Sequence, residues 1–209
     1  MNRPLHPKVA EPDHDILEVI RHRWSPRAFD AAGDASEAEL QRLFEAARWA
    51  PSSANEQPWR FVLASARRHP AAFAAMLEAL TPKNHAWAKH AAALVLTAVR
   101  LTFERNGAPN PMAWYDAGQA VGFLSLQATA DGLATRQMRG FEADRARSAC
   151  AVPPEFEPTV IIAIGRLGDP EHLEVEFHRN AEVQPRQRRP LREFVFVGTW
   201  GSAFGETGS

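Results

Sequence analysis

Arg23, Ser25 and Arg27 are spaced by two in the segment Arg23-Trp-Ser-Pro-Arg27. In extended backbone this spacing turns all three side chains to one side. Pro26 favours that backbone, because a proline moves the residue before it out of the helical region. Two guanidinium forks flanking a hydroxyl suit an oxyanion, since each fork can hold two oxygens through charge-assisted hydrogen bonds. A solvated basic patch at a helix end is the plainer reading, and the helix dipole favours arginine there too. The balance shifts because Arg186 and Arg188 repeat the alternation just before Pro190-Leu191. Two such clusters converging on one phosphate would be costly to keep without a ligand.

A second segment, Trp49-Ala-Pro-Ser-Ser-Ala-Asn-Glu-Gln-Pro-Trp59, follows a helical pattern that Pro51 stops. Its polar groups, Ser52, Ser53, Asn55 and Gln57, lie between two prolines and lead into an apolar run from Trp59 to Ala64. Hydroxyls and amides held this way form a stiff hydrogen-bonding rim, which suits a flat polar ligand better than a flexible linker does.

These groups need elements to hold them. Ile16, Leu17 and Ile20 begin a short helix that ends near Trp24. Ser36 followed by Glu39 is a capping-box signature, after which Leu40, Leu43, Phe44 and Ala47 recur at helical spacing. Phe61–Ala64 predicts a strand, and Pro70 starts a helix through Leu80 with Phe73, Met76, Leu77 and Leu80 on one face. Ala91 to Val99 is apolar apart from Thr97, as in a strand buried on both faces. Residues 102–113, with Asn106, Gly107, Pro109, Asn110 and Pro111, predict a mobile loop. A long helix follows from about Trp114 to Ala130, carrying Gly118, Gly122 and Ser125 on a small-residue face that lets another helix approach. Thr135–Met138 and Pro158–Ile164 predict two more strands around a short helix over Ala143–Cys150. Without a regular βαβ alternation the expected class is α+β.

The 209 residues fit one domain over 14–200, a loose N-terminal arm over 1–13 and a disordered tail over 201–209. Lys and Arg number 24 against 25 Asp and Glu, which gives no bulk case for nucleic acid or an anionic membrane surface. One cysteine, Cys150, excludes an internal disulfide framework and fits a reducing compartment. No apolar run reaches the roughly 20 residues that span a bilayer, and the N-terminal residues lack the apolar centre of a signal peptide. The expected location is the cytoplasm. No HExxH, CxxC or clustered carboxylates suggest a metal, and His85 and His90, five apart, do not share a helix face. Cys150 reads as a small apolar residue rather than a nucleophile.

The chain resembles the FMN-dependent nitroreductase family from about Ile16 to Trp200. The resemblance rests on Arg23-x-Ser25-x-Arg27-x-Phe29, Ala50-Pro-Ser-Ser-x-Asn-x-Gln-Pro-Trp59, Asn84-x-x-Trp87 and Asp116-x-Gly118-x-Ala120. Gly132-Leu133, Met138-Arg139-Gly140-Phe141 and Arg186-x-Arg188-Arg189-Pro190-Leu191 continue it in the family's order. It implies a central, mostly antiparallel sheet flanked by helices, and an interlocked homodimer with two FMN molecules at the subunit interface. It also implies hydride uptake from NADH or NADPH and delivery to nitroaromatics, quinones or related acceptors by a ping-pong cycle. The protein would position the cofactor and tune it, with no catalytic side chain needed.

Carried over by position, Arg23, Arg186 and Arg188 resemble the family's phosphate ligands, with Trp24 and Ser25 beside them. Arg27 resembles the cation facing the flavin pyrimidine edge, where it would tune the flavin. Pro51, Ser52, Ser53, Asn55 and Gln57 match the loop contributed by the partner subunit, and Asn84 the amide at the pyrimidine rim. Met138, Arg139 and Gly140 match the segment whose backbone N–H groups face flavin N5 and O4. Some relatives carry lysine where this chain has Trp87, so one pyrimidine-end cation is replaced by an indole that could touch flavin or simply pack in the core. Arg139 likewise replaces an acidic or small residue. A specialised enzyme on the same scaffold (a reductive dehalogenase, a flavin-fragmenting enzyme or a ring oxidase) and a non-catalytic flavin-binding protein remain the alternatives.

Overall fold

The computed structural model describes residues 8–205, so the first part of the expected arm and the last part of the expected tail, 1–7 and 206–209, lie outside the described residues. Four strands form one antiparallel sheet in the order β1-β2-β4-β3: β1 Trp59–Ser65, β2 Ala93–Arg100, β3 Ala134–Met138 and β4 Phe156–Gly165. β1 and β3 are therefore the two edges. The central pair is β2 and β4, the most continuously apolar strands, because both of their faces are covered.

Alternation along β2 divides the core. Leu94, Leu96 and Ala98 face one cluster, while Ala93, Val95 and Val99 face the other. The first cluster packs under α3 Pro70–Glu78, α4 Pro82–Ala88 and α6 Ala143–Ala149, through Phe73, Met76, Trp87, Ala88 and Ala146. The second packs under α2 Glu37–Arg48 and α5 Ala113–Ala130, through Leu40, Leu43, Ala47, Ala117, Val121 and Leu124. Helices on both sides of an antiparallel sheet make the fold α+β.

The capping box at the start of α2 is present in both directions: Ser36 Oγ accepts from Glu39 N–H at 3.3 Å and Glu39 Oε2 accepts from Ser36 N–H at 2.8 Å. Residues 102–113 differ from an open loop. They fold on themselves through a Thr102–Pro109 bridge and a Phe103 N–H to Ala108 carbonyl bond, with Gly107 supplying the positive φ of the turn. Asn110, buried, donates its N–H to the Leu101 carbonyl and takes the Met112 N–H on its side chain, delivering the chain into α5.

The remaining elements lie outside the sheet: α1 Glu18–His22 and α7 Glu176–Val183. Residues 170–183 show no pattern that predicts an element, yet α7 forms and buries His178 and Glu182 one turn apart. At the C-terminus, Phe196 bridges Ala203 and Phe204 N–H meets the Val195 carbonyl, so residues 201–205 fold back on the preceding apolar segment. Trp200 stands at this bend, 92% exposed.

Candidate functional site

The segment from Arg23 to Asp30 runs beside the chain that leaves β4. Phe29 bridges Leu167, Gly168 N–H donates to the Ala28 carbonyl, and Asp30 N–H donates to the Arg166 carbonyl. Gly168 is required by that approach, since a Cβ there would lie 2.5 Å from the Phe29 carbonyl group. This placement puts the arginines at the β3 edge, where Arg136 of β3 donates to the Ser25 carbonyl.

Arg23, Arg186 and Arg188 come together. Arg23 Nη1 donates to Ser25 Oγ at 3.2 Å, and Arg186 Nη1 to the Arg21 carbonyl at 2.7 Å. Burial first, then Arg188, pushes the Arg23 guanidinium below its ordinary pKa; burial, then Arg23 and Arg188, does the same to Arg186. No carboxylate offsets either shift among the described residues. Cations that repel one another in a half-buried site are stabilised by an anion with several oxygens, so this trio fits a phosphate.

Arg27 belongs to an adjoining group. Its guanidinium lies 3.7 Å from the Glu182 carboxylate, and Arg136 and Lys8 also feel that carboxylate. Burial, then Arg27, pushes Arg136 down to about 10, with Glu182 opposing. The Arg136 guanidinium sits 5.5 Å from the Trp87 ring centre, and Trp87 stacks on Phe29 at 6.2 Å. Trp87 is 1% exposed and belongs to the core under α4, with its indole N–H unpartnered. Arg136 thus supplies a cation near the position where the expected lysine is absent.

Asn84 Nδ2 and Thr81 Oγ1 donate to the Gly140 carbonyl at 3.0 and 3.2 Å. A Cβ at Gly140 would lie 2.7 Å from Asn84 Nδ2, so a side chain there would push the Asn84 amide off this bond. Met138 is buried in the core, and the exposed Arg139 turns its guanidinium over Phe141 at 5.8 Å. Trp24 is buried beneath the Lys8 ammonium, 4.9 Å away, against an apolar cavity of about 200 Å³.

The loop from Pro51 to Gln57 lies elsewhere. It precedes β1, at the other edge of the sheet. Ser53 N–H donates to Asp116 of α5 at 3.1 Å, and Gln57 N–H to Ser52 Oγ at 3.0 Å. Ala54, Asn55 and Gln57 all have positive φ, 53°, 56° and 49°. Left-handed backbone costs roughly 1 kcal/mol or more at a residue with a Cβ, and such strain persists only where the surroundings hold it. Pro51 is exposed on the outside of the loop. The structure therefore gathers Arg23, Ser25, Arg27, Arg186 and Arg188 at one edge and Ser52, Ser53, Asn55 and Gln57 at the other, and the two edge strands themselves are three strand spacings, about 14 Å, apart.

Lys8, Arg136, His178 and Glu182 join the site without belonging to any motif of the sequence. The available signals were a charged side chain in the middle of the short strand Thr135–Met138 and a His/Glu pair four apart in 178–182. Neither identifies its partners without the fold.

The family model for the nitroreductase family matches residues 20–166. The chain belongs to the nitroreductase family. Nitroreductase-family similarity extends to a solved oxidoreductase containing FMN, at 32% identity and a TM-score of 0.84 over 91% of this chain and 95% of that one. An uncharacterized 15.4 kDa protein of Mycolicibacterium smegmatis is 31% identical over 126 residues, 60% of this chain and 83% of its own. The oxygen-insensitive NAD(P)H nitroreductase of Enterobacter cloacae is 39% identical over 51 residues, 24% of each chain. Among the described residues no helix is long and apolar enough to cross a membrane.

Proposed function

We propose that this nitroreductase-family chain is an FMN-dependent oxidoreductase that takes hydride from NADH or NADPH and passes it to nitroaromatics, quinones or related acceptors in a ping-pong cycle. One observation carries the reading: Arg23, Arg186 and Arg188 converge, with Arg23 and Arg186 both pushed below the ordinary arginine value, and no carboxylate among the described residues offsets either shift. A terminal phosphate fits that trio. The likeness to an oxidoreductase containing FMN supports the choice of ligand.

FMN, when bound, supplies two-electron hydride chemistry at its ring. The chain's residues do the rest. Arg23, Arg186 and Arg188 hold the phosphate beside Trp24 and Ser25, and Arg27 opposes charge at the pyrimidine edge. Asn84 fixes the Gly140 carbonyl and with it the Gly140–Phe141 peptide plane, which anchors the C-terminal side of the Arg139–Gly140 segment whose N–H groups face the ring in this reading. Trp87 and Met138 lie behind these groups as packing.

The working unit in this reading is a homodimer. The 51–57 loop sits at the wrong sheet edge to serve the arginines of its own chain, whereas a two-fold partner can bring its loop to them. Gly118 and Gly122 support this: a Cβ at either would meet no atom within 4 Å, so the chain's own packing does not require glycine there. Trp114, Tyr115 and Phe123 on the same helix are exposed. The reading extends to the cytoplasm, which keeps Cys150 as the free thiol it is.

Purified protein tests the proposal. Heat-released flavin should run as FMN, and NADH or NADPH added without oxygen should bleach the visible flavin band. FAD as the main species would overturn the phosphate assignment. Bleaching by dithionite alone would replace the reductase with a flavin-binding protein.

A further inference from the structure

Glu182 of α7 is 1% exposed and lies 155 residues from the segment it serves. Its Oε2 accepts the Arg27 N–H at 3.0 Å and the Ala28 N–H at 3.3 Å. Its Oε1 has no hydrogen-bond partner and stands 3.7 Å from Arg27 Nη1, beyond hydrogen-bond range and within that of an ion pair. One oxygen thus fixes backbone while the other acts by charge alone. Around it the cations Arg27, Arg136 and Lys8 outnumber this single carboxylate.

We propose that Glu182 is a positioning residue for the cofactor, which orients Arg27 through the Arg27 and Ala28 N–H groups and offsets part of its positive charge. The proposal rests on the FMN reading above. Two backbone donors need only one neutral acceptor oxygen, which an amide would supply. A carboxylate goes further, because an ion buried this deeply is retained only with opposing charge nearby. The charge also reaches the flavin. Two-electron reduction leaves negative charge on the pyrimidine side, so a less compensated Arg27 favours reduced over oxidised FMN.

Two substitutions separate the two oxygens' roles. Glu182→Gln keeps an acceptor for the N–H groups and removes the charge. FMN-saturated Glu182→Gln should bind reduced flavin at least tenfold more tightly relative to oxidised flavin, a rise of ~30 mV in the two-electron midpoint. Glu182→Ala loses both roles, and its affinity for oxidised FMN should fall at least tenfold by fluorescence titration. In an Arg27→Met background the Glu182→Gln shift should shrink to what the carboxylate does directly, because the part that acts by orienting Arg27 is lost. Should Glu182→Gln fail to fold, Glu182→Asp carries the test. It withdraws the carboxylate by one methylene and should weaken FMN at least fivefold with an unchanged circular dichroism spectrum.

A wild-type protein that takes up no FMN ends the parent reading. A wild type that binds FMN beside an unmoved Glu182→Gln potential overturns this inference alone, as does a shift of undiminished size in Arg27→Met. For Glu182→Asp, affinity within twofold of wild type does the same.

Discussion

Asp116 of α5 accepts the Ser53 backbone N–H at 3.1 Å while itself only 2% exposed, and this bond ties a strained polar loop to the longest helix of the protein. Three left-handed residues stand at and beside that tie. Asp116→Ala should therefore release the loop and leave the Ser53 donor without its acceptor, at about 1–3 kcal/mol of stability. Urea unfolding measures that cost, and FMN titration should show weaker binding alongside it. Unchanged values in both would mean that Ser52 and the loop's own bonds hold its shape.

Arg188→Ala should weaken FMN binding with little change in acceptor preference. A charge-assisted hydrogen bond is worth about 1.5–3 kcal/mol, on the order of 10–100-fold in affinity. Cofactor retained through dialysis as in wild type would return Arg188 to the role of a solvated surface cation.

Acid should destabilise the protein through His178. Burial first, then Arg27, Lys83 and Arg136, holds its imidazole below the ordinary value, with Glu182 one turn along the same helix. The folded state consequently binds fewer protons than the unfolded chain between the depressed value and about 6.5, the unfolded histidine value. Stability is complete above that pH and falls as pH drops through the window. His178→Gln should flatten this acid slope in urea midpoints measured from about pH 7 to 5. His90, also held low by burial first and then Lys89, leaves a residual slope. An acid slope equal to wild type in His178→Gln would assign the whole effect elsewhere.

The dimer makes two opposed predictions at one position. Gly118→Ala should stabilise α5 in each chain by up to about 1 kcal/mol, because alanine is the better helix former and no atom lies within 4 Å of its Cβ. Gly118→Leu should shift light scattering toward monomer and lower flavin content, since the larger side chain blocks close helix approach. A wild-type monomer loaded with FMN at micromolar concentration would count decisively against the composite site.

Local order was legible in the residues themselves. The Ser36–Glu39 capping box, the face of Leu40, Leu43 and Ala47, and the largely apolar run of β2 each encode their element within a few residues, because helix and strand periodicities are short-range. The arginine spacing and the polar loop between prolines were legible in the same way. Tertiary structure decided what those groups meet. It set the arginines and the 51–57 loop at opposite sheet edges, because strand order depends on which apolar faces pack together and not on motif order. It placed Trp87 in the core, and it brought Glu182 to Arg27 across 155 residues through α7, a helix whose short pattern announced nothing. Contacts this distant in sequence form only where burial of the whole core outweighs the entropy of closing the chain between them, so no local pattern carries them.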